Sequence, residues 1–161
     1  DSSGAGLVST VISALEFATT HKTELGVDVI NLSLGHPIFE SAATDPLVAA
    51  VENAVRAGIV VVVSAGNYGI DPATGLSGYG GIASPGNAPS AITVGSMNPR
   101  KTVIRADDRI DPFSSRGPSW FDGFAKPDLV APGRLPGTGA RFPRDLSKGR
   151  RDTLVGVYRG M

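Results

Sequence analysis

The chain has 161 residues, and its fifteen Lys and Arg balance its fifteen Asp and Glu, so its formal charge is zero. With 41% hydrophobic and 19% charged residues it suits one domain with a sizeable core and excludes a disordered chain, which needs low hydrophobicity and high net charge. The lack of cysteine excludes disulfides, thiolate metal sites and a Cys nucleophile, and two histidines, His21 and His36, are too few for a histidine metal cluster unless carboxylates join them. The longest apolar run, residues 59–63, is far short of the ~20 residues that cross a bilayer. The opening Asp1-Ser2-Ser3 has neither Met nor a leader, and suggests a fragment.

In chain order, Val8, Val11, Ile12, Leu15 and Ala18 recur at intervals of three and four, which predicts an amphipathic helix over residues 7–25, stopped by Gly26 in a left-handed conformation. The β-branched run 27–32 predicts a strand. Asp45-Pro46 is a helix start, with a capping carboxylate followed by a proline whose missing N–H costs nothing there. Leu47, Val48, Val51, Ala54 and Val55 form its buried stripe, and Gly58 ends it. Residues 59–63 follow without alternation, as in a strand covered on both faces of a parallel sheet. Short strands are predicted at 91–94 and 128–130, with a hairpin around 101–109 between them. The fold class is therefore α/β, a parallel β-sheet with flanking helices joined by right-handed crossovers.

In such sheets ligands bind beyond the carboxyl ends of the strands. Two strands end in similar small-residue text, Ser33-Leu34-Gly35 and Ser64-Ala65-Gly66-Asn67. Small residues let a substrate backbone approach closely. The Asn67 amide offers an uncharged donor that can hold a developing oxyanion without acting as a base. A plain Gly-Asn turn is the competing reading of the same residues.

Five blocks in order resemble the middle of a subtilisin-like serine protease. They are residues 28–35, Val60 through Asn67, Pro89 through Gly95, Phe113-Ser114-Ser115-Arg116-Gly117-Pro118, and Lys126-Pro127-Asp128-Leu129-Val130-Ala131-Pro132-Gly133. The resemblance covers roughly residues 1–133 and implies a partial three-layer domain, a serine endopeptidase activity on polypeptides, and a secreted protein. It implies that Asn67 is the oxyanion-hole donor and that Ser33, Leu34 and Gly35 pair with the substrate on one side of the specificity pocket. Ser64, Ala65 and Gly66 would form the opposite wall, and Gly4, Ala5 and Gly6 a strand sandwiching the substrate from the other side, with binding by strand addition. Ser84-Pro85-Gly86 matches a place where the family often has a cis proline.

The departures are specific. The family's Asp and His motifs would precede Asp1, and neither His21 nor His36 has the glycine-bracketed setting of the catalytic histidine; both read as surface or capping residues. The Gly-Thr-Ser-Met-Ala nucleophile block is absent, and Gly137-Thr138-Gly139-Ala140 has Gly where that Ser would stand. The chain is thus expected to carry the substrate cleft without the Ser, His and Asp triad and to be inactive alone. A catalytically dead, peptide- or partner-binding module is the alternative, and a nucleotide-binding domain is disfavoured because no Gly-x-Gly-x-x-Gly loop follows a strand.

Residues 134–161 hold seven Lys or Arg against two Asp and resemble nothing in the family. This Arg-rich tail is read as an interrupted or incomplete coding frame rather than a nucleic-acid or membrane arm. No cofactor is required by the chemistry. Calcium is the one ion the family suggests, as a structural ion: the carbonyls of Gly86, Ala88 and Ala91 match a weak cation site in some relatives. Asp107 and Asp108, with Asp111 nearby, have the chemistry of hard-cation ligands, but adjacent carboxylates in a loop with Arg105 and Arg109 as partners read rather as solvated. Trp120, Phe121 and Phe124 are expected to pack in the core, with a surface patch or cleft margin as the alternative. Val29, Ile30 and Val60–Val63 are expected to lack part of their cover, which predicts aggregation or loose packing of the isolated chain.

Overall fold

The computed structural model describes residues 6–100 and 102–133. Gly4, Ala5 and the Arg-rich tail lie outside the described residues. Helix α1 (Val8–Thr20) buries Leu15, with Val11 and Ile12 packed against the core. The single helix expected up to residue 25 is broken at His21, whose backbone (φ −99°, ψ 18°) leaves the helical region before α2 (Lys22–Leu25). Beyond the break, Lys22 Nζ donates to the carbonyls of Ala57 and Gly58 at 3.0 and 2.8 Å, placing a cation on the carboxyl end of the next helix. Gly26 closes α2 at φ 65°, as its position predicts.

After β1 (Val29–Leu32), helix α3 (Pro46–Arg56) begins where Asp45-Pro46 places it. The buried Asp45 carboxylate accepts from the Leu47 and Val48 amides through one oxygen and from Ser84 Oγ at 2.6 Å through the other. One group thereby caps the helix and anchors the loop that precedes β3. Leu47, Val48, Ala50, Val51 and Ala54 are buried.

Strands β2 (Val60–Ser64) and β3 (Ile92–Asn98) run parallel to β1 in the order β1-β2-β3. A 3₁₀ turn (Arg105–Asp107) leads into β4 (Arg109–Ile110), which pairs antiparallel with the end of β3, so the expected hairpin is formed by Met97 against Ile110. Strand β5 (Leu129–Pro132) adds parallel to the other edge of β3. Both predicted short strands are longer by one to three residues, because β3 pairs on two edges and its far end is held by β4 and β5.

The sheet has two unequal faces. On one, Leu32, Val61 and Val63 join a cluster with Leu15, Leu47, Val51 and Ala54; Val61 is 1% exposed and Val63 0%. The opposite face carries Val29 (60% exposed), Val60 (47%), Ile92 and Leu129, with Asn31, Val62 and Ile92 abreast in register. The described residues thus build the sheet and one helical layer of the expected three. The aromatic expectation holds for Phe124, which packs against the core, and is corrected for Trp120 and Phe121, both exposed and in edge-to-face contact with each other. Phe121 lies at φ 64° in a tight turn closed by Gly123 N–H to the Ser119 carbonyl, which turns both rings outward.

Candidate active site

Because β1 and β2 are parallel neighbours, the segments that follow them emerge side by side. They open into a depression of about 560 Å³ whose lining includes Ser33, Ser64, Ala65, Gly66, Asn67 and, from the end of β5, Gly133. Ser64 Oγ donates to the Leu34 carbonyl at 3.4 Å, tying one expected wall to the other. Asn67 is exposed and lines this depression.

Hydrogen bonds fix the backbone on both sides of Asn67. Before it, Ala65 N–H donates to the Val94 carbonyl and the Gly66 carbonyl accepts from Ser115 N–H at 3.0 Å. After it, Tyr68 N–H donates to Ser115 Oγ at 3.0 Å and Gly69 N–H to the Phe113 carbonyl at 2.9 Å. Gly66 has φ 104°, and a Cβ there would lie 2.8 Å from Ser115 Oγ and 3.0 Å from Ala83 Cβ. A Cβ on Gly69 would overlap the carbonyl oxygens of Pro112 and Ser114. Glycines on both sides therefore let the loop thread between residues 83 and 112–115 while the side chain between them stays at the surface.

The other candidate residues divide. Leu34 and Gly35 follow Ser33 but do not line the depression. The chain there pairs with the loop before β3, since His36 N–H donates to the Ser84 carbonyl and Ser84 N–H to that of His36. A Cβ on Gly35 would lie 2.8 Å from the Ser84 oxygen. The Ser84–Pro85 bond is cis, as the resemblance implies. Gly6 is exposed, lies two residues before α1, does not line the depression and has nothing within 4 Å of a built Cβ. Neither histidine lines the depression. His21 caps α1 and stacks on Phe17 at 4.2 Å between centroids, and His36 stacks on Phe39 at 5.6 Å with Nδ1 2.7 Å from the Pro37 carbonyl oxygen.

Two polar residues of the depression escape the sequence reading. Asn31 donates to Ser33 Oγ at 3.0 Å, and Ser96 donates to the buried Asp111 carboxylate at 2.5 Å. Their only signal is position: each lies two residues after a strand valine, Val29 and Val94, so period-two alternation puts it on that valine's face of the sheet.

Two of the three candidate cation ligands accept hydrogen bonds from the chain itself. The Gly86 carbonyl accepts from Thr93 Oγ1 at 2.6 Å, and the Ala91 carbonyl accepts from Lys126 Nζ at 2.8 Å. Lys126 Nζ also lies 2.7 Å from Asp128 Oδ2, which accepts from Thr93 N–H at 2.6 Å. Burial works to raise the Asp128 carboxyl, but the bonds from Lys126 and Thr93 outweigh it and hold this group below the usual Asp value. Asp107 accepts from Thr102 Oγ1, and among the described residues no three His, Asp or Glu gather to hold a metal ion.

The profile of the subtilase family matches residues 1–156. The chain belongs to the subtilase family. This subtilase is 39% identical over 135 residues to the serine protease AprX of Bacillus subtilis, a match covering 81% of this chain and 29% of that protein. It is 37% identical over 133 residues to the subtilisin of Bacillus pumilus, covering 83% of this chain and 38% of the relative. Sphericase superposes with a TM-score of 0.62 at 27% identity, and the S41 psychrophilic protease with 0.60 at 30%, each over 81% of this chain and 40% of the other. The subtilase chain therefore spans less than half the length of these relatives, and its parallel sheet with packed helices is their architecture. The family match crosses the compositional break after Gly133. Among the described residues no helix is long and apolar enough to cross a membrane.

Proposed function

We propose that this subtilase serves as the substrate-cleft portion of a secreted serine endopeptidase, with Asn67 as its oxyanion donor. The observation that carries the reading is the meeting of Asn67, Ser33 and Ser64–Gly66 in one depression at the ends of two parallel strands. An extended polypeptide would add as a strand against the backbone at Ser33 and residues 64–66, the segments that line the depression. As the scissile carbonyl becomes tetrahedral, its oxygen gains charge, and the Asn67 amide would donate to it from a loop already fixed in place. An amide carries no charge and takes up no proton, so it would stabilise that oxygen at every pH at which the fold stands.

The nucleophilic Ser, the His that takes its proton and the Asp that orients the His have no counterparts matching the family's motifs in these 161 residues. The chain by itself is accordingly expected to hydrolyse nothing, since loss of triad members lowers turnover by roughly 10⁴–10⁶. Incubating the purified chain with a chromogenic peptide and a fluorophosphonate should give neither turnover nor labelling, and either one would overturn that expectation. In a polypeptide that also carries the triad, Asn67→Ala should lower kcat by about 10²–10³ with little change in KM, a magnitude known for this family rather than derived from the geometry. Unchanged kcat would remove Asn67 from the mechanism. A second reading is a catalytically dead peptide-binding module. Saturable binding of an unstructured peptide by a natural parent lacking the triad would select it.

A further inference from the structure

Lys126 is nine-tenths buried, and its ammonium ends between a backbone carbonyl, Ala91 at 2.8 Å, and a carboxylate, Asp128 at 2.7 Å. A carbonyl and a carboxylate converging on one point are the oxygen donors that hard cations take. An ammonium is itself strongly hydrated, and its burial is unfavourable unless such oxygens replace its water. The surrounding bonds form a closed set. Thr93 N–H donates to the same Asp128 oxygen, Thr93 Oγ1 to the Gly86 carbonyl, and Asp128 N–H to the Thr93 carbonyl at 2.9 Å. One positive charge thus faces one negative charge, and it joins the loop of residues 85–91 to the start of β5.

We infer that the Lys126 ammonium is a tethered cation standing where the resemblance offered a metal ion, so that the 85–91 loop is held without one. A divalent ion at the Ala91 carbonyl would meet the fixed ammonium at contact distance, with a single carboxylate to balance both. The lysine stem also supplies the cation intramolecularly, so no ion needs to be captured from solution. Removing the ammonium should uncover the oxygens, and placing a carboxylate at the same residue should turn the place into a calcium site.

Hydrogen exchange of the full chain tests this, read at residues 84–94 with α3 as internal reference, in excess EDTA and in millimolar CaCl₂. The wild type should exchange at the same rate in both. Lys126→Met should exchange roughly tenfold faster at 84–94 while α3 keeps its protection, as expected for loss of a charge-assisted hydrogen bond. Lys126→Glu should be equally fast in EDTA and should regain protection in CaCl₂, because two carboxylates and a carbonyl then face one ion. Calcium-dependent protection in the wild type, or unchanged exchange in Lys126→Met, would overturn the inference. A Lys126→Glu chain indifferent to calcium would equally refute the cation-site character of these oxygens.

Discussion

Val60 and Val61 are consecutive residues of one strand, chemically identical, and they meet opposite environments. Val61 joins Leu47, Val51 and Ala54 in the core at 1% exposure, whereas Val60 stands on the far face of the sheet at 47%. The same contrast runs across the strands, Leu32 and Thr93 being buried and Val29, Ile92 and Leu129 exposed. Apolar residues on both faces are the signature of a parallel sheet covered on both sides. Residue type alone records the need for cover, while the described helices supply the covering layer on one side only. The open side is also the side of the depression, since Val62, Ile92 and Leu129 line it together with Asn67.

A charge on the covered face should have the largest effect. Val61→Asp leaves an unpaired carboxylate against α3 and should cost at least about 4 kcal/mol, abolishing cooperative unfolding by circular dichroism. The next largest effect should come from the helix that provides the cover. Asp45→Ala removes the cap of α3 and its bond from Ser84, and should lower the urea midpoint by an amount equivalent to about 2 kcal/mol. Acid sharpens the role of the β3–β5 edge. Because the Asp128 carboxyl is held below its usual value, its contribution is fully present above the ordinary Asp pKa and is lost as pH falls through the lowered one. Asp128→Asn should remove that part of the acid sensitivity, measured as a flatter fall in melting temperature with pH. Smallest in stability is Val60→Thr on the open face, within about 0.5 kcal/mol of wild type. It should reduce aggregation and dye binding to exposed apolar surface, whereas Val61→Thr should not.

How far the sequence could be read depended on the range of the interaction. Asp45-Pro46, Gly26 and Gly58 act within one helical turn, and each stands where local rules put it. The break at His21 was not legible, because Lys22 reaches the carbonyls of Ala57 and Gly58, 35 and 36 residues away. Asn67 was ambiguous between a turn and a donor until the five blocks gave it a family setting. Leu34 and Gly35 belong to the same motif as Ser33, yet pairing of His36 with Ser84 carries them away from the depression. Trp120 and Phe121 have core-like side chains and are exposed, since the turn between Ser119 and Gly123 fixes their direction before packing can.

By itself, the sequence determined the α/β class, the start and stop of α3, the strands and the family, all of which rest on residue order over short spans. The tertiary structure alone decided which sheet face is covered, that Asn31 and Ser96 share the depression with Asn67, and that Lys126 faces the Ala91 carbonyl. Those outcomes depend on strand register and on contacts across tens of residues, and a one-dimensional pattern specifies neither.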